Sequence, residues 1–208
     1  MTKKERLALI KEGLEQTYPD ADCSLQYTDP WELLVSAILA TQCTDKRVNM
    51  VTPALFERYK TVYDFAMADE TELISYIRST GFFNHKARNI IGAAQRICTV
   101  YGGNVPDTID ELVTLPGVGR KIANLIVGDV FGKSAVVVDT HAKRLSFRMG
   151  LTKNTDPVKI EADLRKILEP EYSSKFCHQL VLLGREFCTA RSPKCAVCPV
   201  NAGCKKSL

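Results

Sequence analysis

Leu115-Pro116-Gly117-Val118-Gly119-Arg120-Lys121 is the stretch on which the fold turns. Two glycines stand two positions apart behind a proline, and Arg-Lys follows them. Glycine has no Cβ, so Gly117 and Gly119 let the backbone turn sharply and lie close to another molecule. An apolar helical pattern starts at once, with Ile122, Leu125, Ile126 and Val130. A helix that opens directly after such a turn presents unpaired N–H groups and its positive dipole end. Successive N–H groups in a tight turn also form an anion-binding nest. The heptapeptide therefore reads either as a phosphate site with a lysine beside it or as an ordinary Gly-rich corner between helices.

Upstream, Thr108-Ile109-Asp110-Glu111 has the form of a capping box that opens a short helix ending at Leu115-Pro116. The whole is then a helix–hairpin–helix over 108–131. Further out, the apolar positions keep helical spacing almost everywhere. Residues 3–17 predict an amphipathic surface helix with Leu7, Ile10 and Leu14 on one face. Asp29-Pro30-Trp31-Glu32 predicts a capped start to a buried helix through Leu33–Ala40. Thr44 caps a helix to about Tyr59, and others are expected at 70–79 and from Gly81-Phe82-Phe83 to about Tyr101. Beyond the hairpin, Asp139-Thr140-His141 opens a helix to Met149, Asp156-Pro157 one to Leu168, and 172–187 form the last. Only Ser134-Ala135-Val136-Val137-Val138 has strand propensity, and without partner strands it reads as an extended connector. An all-α fold follows, with no internal repeat.

The totals agree with a globular protein: 208 residues, 45% hydrophobic and 25% charged, with a formal net charge of +4. A mildly basic balance permits a nucleic-acid partner without requiring one. No run of about 18 apolar residues exists, so no membrane partner is expected. The N-terminus lacks a signal-peptide core, which makes the cytoplasm the expected location.

Four of the eight cysteines, Cys23, Cys43, Cys98 and Cys177, are scattered in apolar surroundings and read as buried thiols. The other four, Cys188, Cys195, Cys198 and Cys204, crowd the end with six, two and five residues between them. That is metal-ligand spacing, in a loop that suits winding around a compact object. Disulfides are disfavoured in a reducing compartment, while iron–sulfur and tetrahedral zinc both remain open. Arg191 and Lys194 lie inside the first gap, so they project from a fixed loop and suit phosphate contact.

Together these motifs resemble the endonuclease III family of DNA glycosylase/lyases. The Leu-Pro-Gly-Val-Gly-Arg-Lys hairpin, the Val138-Asp139-Thr140-His141 run and the terminal cysteine spacing occur in that family's order. Asp139 lies 18 positions after Lys121, and Cys188 lies 49 after Asp139. The resemblance implies a helix–hairpin–helix glycosylase fold with a DNA cleft between two subdomains. One is a six-helix barrel, about 22–132. The other is discontinuous, 1–21 plus 133–208, and carries a 4Fe–4S cluster on Cys188, Cys195, Cys198 and Cys204.

The activity implied is removal of oxidised or ring-saturated pyrimidines from damaged double-stranded DNA, then cleavage 3′ to the abasic site. The enzyme is expected to act as a monomer, associated with the nucleoid while on DNA. Lys121 matches the nucleophile that forms a Schiff base with the sugar. Partial burial, Arg120 and the helix N-terminus are expected to favour its neutral form. Asp139 matches the catalytic aspartate, and its position also suits a helix N-cap. Gln42 and Phe82 match positions that fill the stack when the nucleotide flips out; by composition alone Phe82 and Phe83 read as core. Gly117, Val118, Gly119 and Arg120 would hold the DNA backbone, and His141 faces the gap or packs as a structural residue. Two other readings are a relative specialised for pyrimidine dimers or T:G mismatches, and a non-catalytic DNA-binding protein with a structural metal.

Overall fold

The computed structural model describes residues 1–206, which contain eleven α-helices, three short 3₁₀ turns and no strand. In chain order the helices are α1 (Lys3–Thr17), α2 (Pro30–Leu39), α3 (Asp45–Arg58), α4 (Val62–Ala66), α5 (Glu70–Ile77), α6 (Phe83–Val100), α7 (Ile109–Leu112), α8 (Arg120–Asp129), α9 (Thr140–Arg148), α10 (Pro157–Arg165) and α11 (Ser173–Glu186). The chain divides into two compact units. One is Ser24–Phe131. The other joins Met1–Cys23 to the chain from Gly132 onward.

The first unit is built on α2. Asp29 caps it, accepting the Glu32 N–H at 2.8 Å, and Pro30 occupies its first turn. Asp29 and Glu32 have the spacing of a capping box, but only half of one forms, because the Glu32 carboxylate turns instead to the N–H and hydroxyl of Thr28. From Leu33 to Leu39 every side chain of α2 is buried. A helix apolar all round needs neighbours on every side, and α3, α6 and α8 pack against it. Each fully buried Leu or Ile contributes about 1.5–3 kcal/mol, so α2 alone anchors much of this unit. Phe65 of α4 adds an edge-on contact to Trp31, with ring centroids 5.3 Å apart. Helix α4 has no counterpart in the sequence reading. It has five residues, too few to show a period, and only the Thr61–Asp64 capping box marks it.

In the second unit α1 is no mere surface element. Leu7, Ile10 and Leu14 are buried, and α1 packs on α11. A Cβ on Gly13 would come within 2.4 Å of the Pro199 carbonyl oxygen. The Arg6 guanidinium donates to the Gly203 carbonyl at 3.0 Å. So α1 lies directly against the cysteine-bearing loop. Residues 134–138 form the extended connector expected, with Ala135, Val136 and Val137 buried and the Ala135 N–H donating to Ser173 Oγ at 3.1 Å.

Candidate active site

The hairpin forms as its sequence predicts. Leu115 and Val118 point into the core, and the Val118 N–H closes the turn on the Leu115 carbonyl at 3.1 Å. The two glycines, however, do different work. Gly117 has φ +77°, in the left-handed region, and a Cβ there would meet the Asn89 side chain at 2.7 Å. Gly119 has φ −93° and ψ 174°, ordinary extended backbone, and its Cβ direction meets nothing within 4 Å. Gly117 is therefore glycine for the fold, while Gly119 faces open space.

Gly119 is the N-cap of α8, and no side chain caps that helix. The first N–H groups of a helix have no intrahelical partner, so they are left to whatever approaches from outside. The inner face of α8 is buried through Ile122, Ala123 and Ile126, whereas Arg120 and Lys121 are exposed. The partial burial expected of Lys121 is absent. Val118 is buried, so only its backbone can meet a phosphate.

Asp139 is half-buried and caps α9, where Oδ1 accepts the Ala142 N–H at 2.7 Å. The cap engages one carboxylate oxygen and fixes the direction of the other. His141, two residues on, is held against α11. A Cβ on Gly184 would lie 2.3 Å from His141 Nδ1, and the Arg144 guanidinium is 3.3 Å from the same atom. Its ring has a packing role.

Gln42 and Phe82 share a feature that no motif announced. Among the described residues only Gln42, Phe82 and Lys206 are non-glycine with positive φ, at 53°, 49° and 58°. Such a conformation costs on the order of 1–3 kcal/mol and persists only where the surroundings impose it. Both Gln42 and Phe82 are exposed, Phe82 by 62%. The composition-based expectation of a core Phe82 is thus wrong, because the left-handed turn lifts the ring off the core. Phe82 also stands as the N-cap of α6. That helix reaches the hairpin as well: Asn89 lies against Gly117, and a Cβ on Gly92 would meet Pro116 at 3.2 Å.

The cysteine loop is gripped by α9. The Arg144 guanidinium donates to the Cys188 carbonyl at 2.9 and 3.2 Å. Arg148 donates to the carbonyls of Thr189 and Ala190 at 2.7 and 2.8 Å and approaches Cys188 Sγ at 3.5 Å. The sequence reading did not single out these arginines, although their four-residue spacing on α9 was visible. Cys188, Cys195, Cys198 and Cys204 line one cavity, and the Lys194 N–H ties its rim to the Phe187 carbonyl at 2.9 Å. Burial pushes the Cys198 and Cys204 thiols up, and the neighbouring thiols push them further. Four cysteine sulfurs lining one cavity suit a cationic guest that binds them as thiolates. Among the described residues no three His, Cys, Asp or Glu side chains converge as on a single ion. Four cysteines lining one cavity supply the donor set of an iron–sulfur cluster. Arg191 and Lys194 are exposed on this loop.

Lys121, Gln42 and Phe82 thus belong to the unit Ser24–Phe131, and Asp139, His141, Arg191, Lys194 and the four cysteines to the other. No helix among the described residues is long and apolar enough to cross a membrane.

Comparison with known proteins gives the same outline. Residues 35–170 match the model of the HhH-GPD superfamily of base excision DNA repair proteins, and 188–204 that of the iron-sulfur binding domain of endonuclease III. The chain is 48% identical to the endonuclease III of Synechocystis over 98% of its length and 93% of the relative's. It is 40% identical to that of Bacillus subtilis, covering 99% of this chain and 94% of the other. A solved structure of a trapped endonuclease III–DNA covalent intermediate superimposes with TM-score 0.92 at 40% identity, over 99% of this chain and 97% of that one.

Proposed function

Since the chain belongs to the endonuclease III family of base-excision repair proteins, we propose that Lys121 is its nucleophile and Asp139 the acid–base partner in excising a damaged pyrimidine from duplex DNA. The protein is a DNA glycosylase and abasic-site lyase. The observation that carries the residue assignment is the start of α8, which has no capping side chain, an open face at Gly119 and Lys121 exposed in its first turn.

A phosphate docked on the open N–H groups of α8 sets the distance from the DNA backbone to Lys121. Neutral Nζ attacks the sugar C1′. The N–C1′ bond forms as the glycosidic bond breaks, and the base leaves with that electron pair and a proton. Asp139 stabilises the positive charge growing on the sugar or takes the proton that Lys121 must lose. Ring opening leaves a Schiff base, and loss of a C2′ proton expels the 3′ phosphate by β-elimination.

The target atom is out of reach inside the stack, so the nucleotide has to leave it. Gln42 and Phe82, raised on left-handed turns, fill the gap. An exposed ring suits this, since aromatic faces stack on any base. Cys188, Cys195, Cys198 and Cys204 hold the 4Fe–4S cluster, whose task here is to fix the loop that presents Arg191 and Lys194 to phosphates.

The reading is tested by incubating the protein with duplexes carrying thymine glycol, dihydrouracil or a plain abasic site in the presence of borohydride. A covalent protein–DNA adduct is expected on all three. Absence of adduct on every substrate would overturn the assignment of a lysine lyase.

A further inference from the structure

One buried cation takes no part in the chemistry above. Lys86 lies in the first turn of α6 and is only 4% exposed. A buried ammonium is expensive unless its protons are satisfied. Burial holds Lys86 below the usual lysine range, partly opposed by the Cys43 thiol. The first turn of a helix also repels a cation through its dipole. The position is unfavourable on both counts, so something specific must hold the group there.

What holds it is a pair of carbonyls. Lys86 Nζ donates to the Leu39 carbonyl at 2.8 Å and to the Thr80 carbonyl at 2.8 Å. Leu39 is the last residue of α2, and Thr80 the last of the 3₁₀ turn Arg78–Thr80. The ends of helices leave carbonyls without intrahelical partners and carry the negative dipole end. Two such ends converge on one ammonium. At the first, Cys43 turns its N–H to Ala40 rather than to Leu39, which leaves the Leu39 carbonyl to Lys86. Three residues past Leu39 stands Gln42, and two past Thr80 stands Phe82. These two carry the left-handed turns on which the wedge is raised. The Lys86 N–H in turn donates to the Phe82 carbonyl at 3.0 Å.

We propose that Lys86 is a positioning residue for base eversion: its ammonium, set between the carbonyls of Leu39 and Thr80, fixes the turn that carries Gln42 at one distance from the turn that carries Phe82. The proposal rests on reading Gln42 and Phe82 as the wedge. Three N–H donors on a flexible stem suit two backbone acceptors from different directions. Without the tie each strained turn is free to relax into the commoner conformations, and the two tips lose their common register.

The test compares two substrates of the intact, cluster-loaded protein. One is a duplex with a central thymine glycol, which requires eversion. The other is a preformed abasic site in single-stranded DNA, which leaves no paired stack to fill. Lys86→Met keeps the apolar stem and removes the donors. It is expected to slow duplex excision by about tenfold while single-strand β-elimination stays within about twofold. Gln42→Ala and Phe82→Ala should show the same split, and adding Lys86→Met to both should cost less than it does alone, because the three act as one unit.

Equal losses on both substrates would reduce Lys86 to a scaffold residue and overturn the proposal. If the wedge variants slow duplex excision but Lys86→Met does not, the positioning role falls while the wedge reading stands. If the wedge variants leave duplex excision intact, the wedge reading falls and takes this proposal with it. Should Lys86→Met not fold, Lys86→Gln is read the same way. Amide exchange supplies an independent check: exchange must quicken at 41–43 and 81–83 in the variant, and unchanged protection there counts against the tie.

Discussion

The two helices of the hairpin begin in opposite ways. Helix α7 opens on Thr108, whose hydroxyl accepts the Glu111 N–H at 3.3 Å. Helix α8 opens on Gly119, which has no side chain to offer. The contrast extends through the molecule. Eight of the eleven α-helices among the described residues start with a Thr or Asp that accepts a first-turn N–H. The three that do not are α6, α8 and α11. Helix α11 follows directly on the 3₁₀ turn Pro170–Tyr172, so its entry is already structured. Helices α6 and α8 have no such excuse. A missing cap costs about 1 kcal/mol, and in this chain it is missing at the two starts that carry the proposed wedge and the proposed nucleophile. A capped start satisfies its N–H groups internally; an uncapped one leaves them for the ligand.

The sharpest way to test that division is Lys121→Gln. The side chain is exposed and belongs to an uncapped start, so the fold has little stake in it. Strand cleavage and borohydride trapping should fall by roughly three orders of magnitude or more, with the thermal midpoint unchanged. Retained cleavage would move the nucleophile elsewhere.

Asp139 tests the other side of the comparison, because it is both a cap and a candidate catalyst. Asparagine caps as well as aspartate does. Asp139→Asn should therefore leave stability within about 0.5 kcal/mol of the parent while slowing base release by about 10²-fold or more. DNA affinity, read by gel shift, should change little. A parallel loss of stability and activity would make Asp139 a cap alone.

Within the hairpin the two glycines should respond in opposite ways. Gly117→Ala meets both a left-handed φ and the Asn89 side chain at 2.7 Å, and should cost about 1–3 kcal/mol of stability. Gly119→Ala meets nothing. It should leave unfolding unchanged and weaken DNA binding, since its methyl stands where the phosphate approaches. If Gly119→Ala binds DNA normally, the open face of α8 is not the phosphate site.

These contrasts also mark what the sequence could show. The starts of α2, α3, α7, α9 and α10 were legible at Asp29, Thr44, Thr108, Asp139 and Asp156, because capping is local chemistry between neighbours three apart. The cysteine loop was legible for the same reason, since ligand spacing is written in a short segment. The Gln42 and Phe82 turns were not. Without a glycine nothing in the residues signals φ > 0, since the surroundings that hold such a turn are not local in the chain. Lys86 was invisible too. A lysine is exposed by default, and its two acceptors lie 47 and 6 residues away in the chain. The separate duties of Gly117 and Gly119 were hidden as well, because both are the same letter and only the approach of Asn89 tells them apart.

The smallest expected effect belongs to Phe82, and it asks whether the strain at the start of α6 is held for function. A phenylalanine at φ 49° carries a left-handed penalty of about 1–2 kcal/mol. Its ring is 62% exposed and contributes little burial in return. Phe82→Gly removes the penalty, while the greater freedom of glycine in the unfolded chain returns about 0.5–1 kcal/mol. The net change should be a gain between zero and about 1.5 kcal/mol, seen as an equal or slightly raised thermal midpoint. Excision from duplex should fall all the same, because the ring that fills the vacated stack is gone. A variant that is at once no less stable and less active is the signature of a residue kept for its task at the expense of the fold. If Phe82→Gly instead lowers stability by more than about 1 kcal/mol, the ring is part of the packing after all. The uncapped, left-handed start of α6 would then need a structural explanation rather than a functional one.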